Sequence, residues 1–318
     1  MGKLISNIVF SMNRPLQLAA YLESLYRHMP QEQIQTYIIY KSDLFDEQYS
    51  ELFRRWSNCI VIKEQNFHDD FVGLIERIDT KYILFGTDDV VYYDSVDFAV
   101  IEDAFSRPSH DIFGFSLRLS PQSLGQDNDV LTEMAIGGEK GYRLNWKNAQ
   151  NHNARYPFEL NSTVYRTALV KEIVAHVAKE RPVLTKIFAR KSLLVKLLGR
   201  IISMKHFLIS INTFHNPNSL EGYCYRWCKK HKSRLPSYLY FQKLCASAIQ
   251  INRVNTVVDN PIDGSSEHTV EALNEKYKEG YRFDIGAIQK NKPTATHVGR
   301  EYFRLTKKDN REKMNYGG

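Results

Sequence analysis

The clearest indication of the fold is the run Tyr82-Ile83-Leu84-Phe85-Gly86-Thr87-Asp88-Asp89-Val90, in which an apolar segment ends in two adjacent carboxylates. A short, continuous apolar run bounded by polar residues is typical of a strand buried on both faces, as in a parallel sheet. Ligands of such sheets bind beyond the carboxyl ends of the strands. Asp88 and Asp89 are therefore predicted at the edge of the sheet where a ligand binds.

Strands and helices alternate on both sides of this run. The predicted strands cover residues 4–10, 36–40, 59–62, 82–85 and 111–119. The helices predicted between them cover residues 15–25, 44–56, 69–78 and 94–105. This alternation predicts an α/β fold with a mostly parallel sheet and helices on both of its faces.

The alternation ends at Pro121, which suggests two halves, residues 1–119 and 120–318. Residues 122–150 are polar and rich in glycine, and this composition predicts a flexible loop. Helical patterns at residues 168–206, 220–231 and 238–254 then predict a more helical second half.

Composition and charge exclude several classes of protein. The 318 residues are 43% hydrophobic and 25% charged, which excludes wholesale disorder. Four cysteines are too few for a disulfide framework, and no signal peptide or membrane span is evident near residue 1, so a cytoplasmic protein is expected. Between Lys171 and Ser210, nine Lys or Arg residues face two acids, an excess that equals the chain's net charge of +7. So local a patch predicts no nucleic-acid partner.

Two readings of the adjacent carboxylates are open. Neighbouring carboxylates repel one another unless they share a cation, and a hard divalent ion, Mg²⁺ or Mn²⁺, with oxygen ligands suits Asp88 and Asp89. Such an ion is normally completed by substrate phosphates. Alternatively the acids cap a helix, because Asp is favoured at that position and Asp94 and Ser95 follow closely.

No glycine-rich phosphate loop follows the first strand, which ends instead in Ser11-Met12-Asn13-Arg14-Pro15. This turn offers hydroxyl, amide and guanidinium donors to a nucleotide. The alternative is simple helix initiation by Asn13 and Pro15, which leaves Arg14 unexplained. Asn66, after the third strand, is expected at the same edge of the sheet.

These motifs resemble the GT-A glycosyltransferases, particularly the bacterial-type family-2-like enzymes. The resemblance rests on Ser-x-Asn-Arg-Pro after the first strand and on the fourth strand leading to an Asp-Asp turn, and it covers about residues 4–119. The family's Asp-x-Asp motif, which holds a metal on the donor diphosphate, corresponds here to Thr87-Asp88-Asp89. Its last acid, usually the direct metal ligand, corresponds to Asp89.

The resemblance implies an enzyme that transfers a sugar from a nucleotide-diphosphate sugar to a hydroxyl of a glycan or lipid-linked acceptor. The expected process is the synthesis of cell-surface polysaccharide or lipopolysaccharide. The expected mechanism inverts the configuration at the anomeric carbon. Residues 1–119 would bind the donor and residues 120–318 the acceptor. Asp88 and Asp89 would hold Mn²⁺ or Mg²⁺, and the nucleotide would be lined by Ser11, Asn13, Arg14, Asn66, Asp88 and Asp89.

An inverting transferase needs a carboxylate to accept the proton of the acceptor hydroxyl. Glu221 is the predicted base, because it lies just inside a helix that follows the Asn-Pro loop at residues 216–218. The alternative is a capping role for Glu221 with Asn218 or Ser219. Other acids with a claim to the role are Glu159, Glu133 and Asp127.

Several aromatic residues, histidines and cysteines allow a functional and a plain structural interpretation. The first group is either a wall on which a sugar stacks or ordinary core packing, and it consists of Trp146, His152, Tyr156 and Phe158. His215 either completes a metal shell or is a polar loop residue. The helical spacing of Cys224, Cys228 and His231 allows either a zinc site or simple packing.

The basic segment at residues 171–210 combines an apolar helical stripe with lysines and arginines. That pattern is typical of a helix that binds an anionic membrane surface, or of a packed helix with a solvated basic face. Two other functions also stay open for the chain. One is a sugar nucleotidyltransferase, which normally carries a glycine-rich basic loop; the other is a non-catalytic membrane- or glycan-binding module.

Overall fold

The computed structural model describes residues 2–106, 111–125, 131–179, 214–252 and 266–307. The strands are β1 (Ile5–Met12), β2 (Ile34–Lys41), β3 (Ile60–Lys63), β4 (Tyr82–Thr87), β5 (Val90–Tyr92), β6 (Ile112–Ser116), β7 (Leu131–Ile136), β8 (Glu139–Asn145), β9 (Thr163–Arg166), β10 (Ser237–Phe241), β11 (Ala246–Ile249), β12 (Tyr281–Phe283), β13 (His297–Val298) and β14 (Leu305–Lys307). The helices are α1 (Pro15–His28), α2 (Asp46–Arg55), α3 (Phe67–Arg77), α4 (Phe98–Ser106), α5 (Pro121–Leu124), α6 (Thr167–Lys179), α7 (Pro217–Lys230), α8 (Val270–Lys278) and α9 (Ile285–Lys290).

Within the described ranges, nine strands form one sheet in the order β3-β2-β1-β4-β9-β6-β10-β8-β7. The first four strands of the chain that were predicted from the sequence pair in parallel as β3-β2-β1-β4. β9 and β8 run antiparallel to their neighbours, whereas β6 and β10 pair in parallel. The predicted α/β fold with a mostly parallel sheet is therefore confirmed.

Helices cover both faces of this sheet because β1 is apolar on both sides. Ile5 and Val9 belong to a core cluster that includes side chains of α1, α2 and α4. Ile8 and Phe10 belong to a second cluster, formed with side chains of α3, α6 and α7. Burial of each large apolar side chain contributes about 1.5–3 kcal/mol, so the two clusters fix the register of the central strands.

A small sheet, β13-β11-β5, extends the fold beyond the end of β4. The chain turns at Asp88 and Asp89 and continues as β5, which pairs antiparallel with β11. β11 pairs in parallel with β13. This arrangement brings the C-terminal part of the described chain to the Asp88-Asp89 turn.

Two element predictions in the second half are wrong. Residues 238–254, predicted as a helix, contain β10 and β11, and every side chain of these two strands is buried. Burial on both faces removes the alternation by which a strand is recognised, and the run resembles a buried helix. The glycine-rich stretch predicted as a loop contains the hairpin β7–β8, in which Gly137 and Gly138 adopt positive φ values of 55° and 84°.

Most of the predicted membrane-docking segment, residues 180–210, lies outside the described residues, as does Asp127. Membrane docking therefore stays a prediction. At the described end of this segment, Lys171 on α6 donates a hydrogen bond to the Glu76 carbonyl. None of the helices in the described ranges is both long and apolar enough to cross a membrane.

Candidate functional site

A cavity of about 410 Å³ opens at the carboxyl ends of β1, β2 and β4. Its lining comes from the strand ends, from the start of α7 and from the small sheet. The polar and charged lining residues are Ser11, Arg14, Lys41, Glu64, Thr87, Asp88, Asp89, Asn161, His215, Asn216, Asn218, Gln250 and His297. A crevice beyond the carboxyl ends of parallel strands is where ligands of open α/β sheets bind.

Asp88 is buried and fully engaged by the turn that follows β1. Its Oδ2 accepts hydrogen bonds from the Ser11 hydroxyl at 2.9 Å and the Met12 amide at 3.2 Å, and its Oδ1 accepts one from Arg14 at 3.0 Å. Burial raises the pKa of Asp88 to about 6, and the charge of Arg14 opposes that rise. No helix starts here, because β5 follows the turn, so the helix-cap alternative is wrong.

Asp89 keeps more of its side chain accessible, 22% against 5% for Asp88. The Thr87 hydroxyl donates to Asp89 Oδ1 at 2.6 Å, and the guanidinium of Arg14 lies 3.7 Å from Oδ2. The Ile249 amide of β11 donates to the Asp89 carbonyl at 2.8 Å, which fixes the backbone of the turn. Asp89 is therefore a positioned carboxylate on the cavity wall with room for a further partner.

Arg14 joins three parts of the chain at the cavity. Besides its contacts with both carboxylates, its Nη2 donates to the Asn252 carbonyl at 2.6 Å. The Arg14 amide donates to the hydroxyl of Tyr49, and that hydroxyl also contacts Ser11 Oγ at 2.6 Å. Arg14 thus holds the turn after β1, the carboxylates and the segment after β11 together.

The two predicted asparagines lie outside the cavity lining. Asn13 adopts a left-handed conformation, φ 55°, and exchanges two hydrogen bonds with Asp43, at 3.0 and 2.9 Å. Asn66 caps α3 by accepting a hydrogen bond from the Asp69 amide at 3.2 Å. Asn13 therefore connects the loops after β1 and β2, and Asn66 stabilises the start of α3.

His297, on β13, is a cavity residue that the sequence motifs did not reveal. Its Nε2 lies 3.3 Å from Arg118 Nη1, and its Nδ1 lies 3.2 Å from the Thr296 hydroxyl. Burial, reinforced by the charge of Arg118, lowers the pKa of His297 to about 4, although Asp89 opposes the shift. Burial also lowers the pKa of His215, which lines the same cavity. Both imidazoles are therefore neutral near pH 7.

The side chains at the cavity fit a hard divalent ion whose coordination shell is completed by a substrate. No group of three or more His, Cys, Asp or Glu side chains poised for a metal occurs in the described ranges. Mg²⁺ and Mn²⁺ are commonly bound by one or two carboxylates together with substrate phosphates and water. Asp89, a partly accessible carboxylate on the cavity wall, matches that incomplete set, whereas both ring nitrogens of His297 already have hydrogen-bond partners.

Glu221 lies on α7, directly behind the cavity wall. Asn216 caps this helix and forms a capping box with Ser219, so the capping role considered for Glu221 belongs to other residues. Glu221 Oε1 accepts a hydrogen bond from the Leu160 amide at 2.9 Å, one residue before the cavity-lining Asn161. Glu221 itself does not line the cavity.

The surroundings of Glu221 favour its neutral form. Burial raises the pKa of Glu221 to about 7, and the nearby charge of Glu159 adds to this rise, whereas the Leu160 amide and Arg118 oppose it. The Tyr156 hydroxyl lies 3.5 Å from Glu221 Oε2. A carboxyl group with a pKa near the working pH is suited to accept a proton.

The other described acids considered as bases are occupied elsewhere. Glu159 forms a buried ion pair with Arg118, which donates from Nε at 2.6 Å, and it also accepts a hydrogen bond from Thr163. Glu133 pairs with Lys140 on the hairpin β7–β8 at 2.7 Å, and this carboxylate is 61% exposed. Neither acid lines the cavity.

The predicted aromatic wall divides into core and surface residues. Trp146 and Phe158 are buried in the core, as the packing alternative expects. His152 is exposed and Tyr156 is half-buried. The Tyr156 ring stacks on Tyr225 of α7, with ring centroids 4.6 Å apart and an interplanar angle of 13°.

The three residues considered for a zinc site, Cys224, Cys228 and His231, pack against their neighbours instead. Cys224 and Cys228 are buried in the core cluster that contains Trp227. His231 stacks on Trp227 with ring centroids 4.1 Å apart and contacts its carbonyl through Nδ1 at 2.8 Å. These contacts account for the helical spacing of the three residues.

No family model matches the chain. The bifunctional glycosyltransferase pgtA of Dictyostelium discoideum is 25% identical to it over 194 residues, which is 54% of this chain and 25% of that protein. The chain thus spans about a quarter of the length of this curated relative. The predicted resemblance to glycosyltransferases is confirmed by this match.

Two solved structures with partial similarity are S. aureus TarS and a mannosyltransferase. S. aureus TarS is 17% identical, with a TM-score of 0.37 over 53% of this chain and 29% of that chain. The mannosyltransferase PcManGT from Pyrobaculum calidifontis, solved with GDP-Man and Mn²⁺, is 8% identical, with a TM-score of 0.35 over 53% of this chain and 46% of that chain.

Proposed function

We propose that this protein is a glycosyltransferase that moves a sugar from a nucleotide-diphosphate sugar to a hydroxyl group. The observation that carries the proposal is the Asp88-Asp89 turn, which ends a buried parallel strand inside a cavity of about 410 Å³. The partial sequence similarity to pgtA supports the same class of reaction. The proposed acceptor is a glycan or a lipid-linked glycan, as in cell-surface polysaccharide or lipopolysaccharide synthesis.

In this proposal Asp89, at the carboxyl end of β4, would hold Mn²⁺ or Mg²⁺ together with the phosphates of the donor. A divalent ion there would neutralise the charge that develops on the departing diphosphate. Asp88 acts through its partners, because it fixes Ser11 and Arg14 and so sets the shape of the nucleotide site. Burial of these charged groups makes their mutual attraction stronger than it is in water.

The proposed base is Glu221. With a pKa of about 7, this carboxyl group is about half ionised at neutral pH and accepts a proton from an acceptor hydroxyl. The Leu160 amide holds one carboxylate oxygen, which leaves the other, near Tyr156, as the atom that receives the proton. Attack of the deprotonated hydroxyl on the anomeric carbon, opposite the departing diphosphate, gives inversion.

The test is release of nucleoside diphosphate from a panel of UDP-, GDP-, CDP- and dTDP-sugars in the presence of Mn²⁺. The proposal predicts that at least one donor is cleaved slowly by the protein alone and faster when an acceptor glycan is added. It also predicts that Glu221→Gln lowers the acceptor-dependent rate by about 10²- to 10⁴-fold. Absence of cleavage across the panel, with and without acceptor glycans, would contradict the proposal.

A further inference from the structure

The stacked rings of Tyr156 and Tyr225 lie beside Glu221, the proposed base. Both rings are half-buried, and each therefore keeps part of its surface in contact with solvent. The Tyr156 hydroxyl lies 3.5 Å from the carboxyl of Glu221. A rigid aromatic surface at this place is suited to hold a flat ligand next to the proton acceptor.

His152 adds a third ring to this stack. The His152 ring lies 6.1 Å from the ring of Tyr156 with an interplanar angle of 28°. The aromatic surface thus consists of His152, Tyr156 and Tyr225, and its Tyr156 hydroxyl lies next to Glu221.

The rim of this aromatic surface is positively charged. Arg155 precedes Tyr156 and is exposed, and exposed Lys229 lies with its Nζ 5.7 Å from the centre of the Tyr225 ring. Neither cation forms an ion pair with a residue in the described ranges. The nearby carboxylate of Glu159 does not offset them, because it is paired with Arg118.

We propose that Tyr156 and Tyr225, flanked by Arg155 and Lys229, form the acceptor subsite and bind a pyranose ring that carries a phosphate or a carboxylate. The apolar face of the pyranose packs against the solvent-exposed part of the tyrosine stack, a hydroxyl approaches the Glu221 oxygen that lies near Tyr156, and the anionic group pairs with the flanking cations. This inference rests on the proposed function, to which it adds the class of acceptor.

The experiment measures binding of simple pyranosides to the full chain by saturation-transfer NMR, without a donor. The probes are methyl glycosides of glucose, galactose and mannose, their uronic acids and their 6-phosphates. The inference predicts that the uronates or phosphates of at least one sugar bind about tenfold more tightly than the neutral glycoside. This preference is expected to shrink when the salt is raised to about 0.5 M.

Matched variants distinguish the contribution of the Tyr225 ring to binding from that of the Lys229 charge. Tyr225→Ala is expected to weaken binding of all probes about five- to tenfold, whereas Tyr225→Phe keeps the ring and retains binding. Lys229→Gln is expected to remove the preference for the anionic probes, and Lys230→Gln, one residue along the same helix, is the control that keeps it. Binding that is unchanged in Tyr225→Ala, or equal for neutral and anionic probes in the wild type, would overturn the inference.

The outcome is separable from that of the proposed function. Binding of UDP or GDP with Mn²⁺ is measured on the same wild-type preparation. A protein that binds a nucleoside diphosphate and none of the pyranosides refutes the acceptor subsite alone. A protein that binds no nucleoside diphosphate refutes the proposed function, whatever the pyranosides do.

Discussion

Replacement of Glu221 by glutamine is expected to stabilise the protein at alkaline pH while it removes the proposed base. Glutamine has nearly the same shape, and its amide oxygen can accept the hydrogen bond that the Leu160 amide donates to the carboxylate. Glutamine carries no charge at any pH, so the variant isolates the cost of ionising a buried carboxyl group.

The size of the effect follows from the pKa of Glu221, which burial raises from 4.5 to about 7. The unfolded chain loses this proton near its ordinary pKa, whereas the folded chain keeps it until about pH 7. Folding stability therefore falls as the pH rises between these two values. Each tenfold change in an ionisation constant corresponds to about 1.4 kcal/mol, so the full cost above pH 7 is about 3 kcal/mol.

The assay compares urea unfolding of wild type and Glu221→Gln from about pH 5 to about pH 8. We expect similar stabilities near pH 5 and an advantage for the variant that grows to about 3 kcal/mol near pH 8. Glu133→Gln, which changes an exposed carboxylate on β7, is the control and is expected to shift stability by less than about 1 kcal/mol at each pH. A difference between wild type and Glu221→Gln that does not vary with pH would refute the reasoning.

Two further variants test the packing around the site. Arg118→Leu leaves the buried carboxylate of Glu159 without its cation and is expected to cost about 3–5 kcal/mol in urea unfolding at neutral pH; a cost below about 1 kcal/mol would contradict the buried pair. A Cβ at Gly86, on β4, would overlap the ring of Tyr21, so Gly86→Ala is expected to cost about 1–3 kcal/mol in thermal unfolding. Gly73→Ala on α3 meets open space and is expected to stabilise the helix by up to about 1 kcal/mol, which makes it the matched control.

The first third of the fold was predictable because its strands are short, apolar and separated by clear helical patterns. The run that ends at Asp88 and Asp89 carried both the strand and the candidate site, and the structure places these acids at the carboxyl end of β4. The start of α7 was also predictable from the sequence. Pro217 at the first helical position marks Asn216 as the cap, which leaves Glu221 free for another role.

The contacts across the chain were not predictable from local patterns. His297 reaches the cavity only because β13 pairs with β11, and β11 pairs with β5 after the Asp88-Asp89 turn. Arg118, after β6, forms its ion pair with Glu159, before β9, because these two strands are neighbours in the sheet. The spacing of residues within one helix or strand does not predict such pairings, because they depend on tertiary packing between distant segments.

The most direct test of the central claim, that the Asp88-Asp89 turn holds a divalent ion and a nucleoside diphosphate, is calorimetric titration of UDP and GDP into the protein with Mn²⁺ and with a chelator. We predict that at least one nucleotide binds only with the metal, that Asp89→Asn abolishes this binding, and that Thr87→Ala weakens it far less. Both variants change residues at the end of β4 and are expected to keep the fold, which circular dichroism checks. Binding to Asp89→Asn with the affinity and metal dependence of the wild type would contradict the claim.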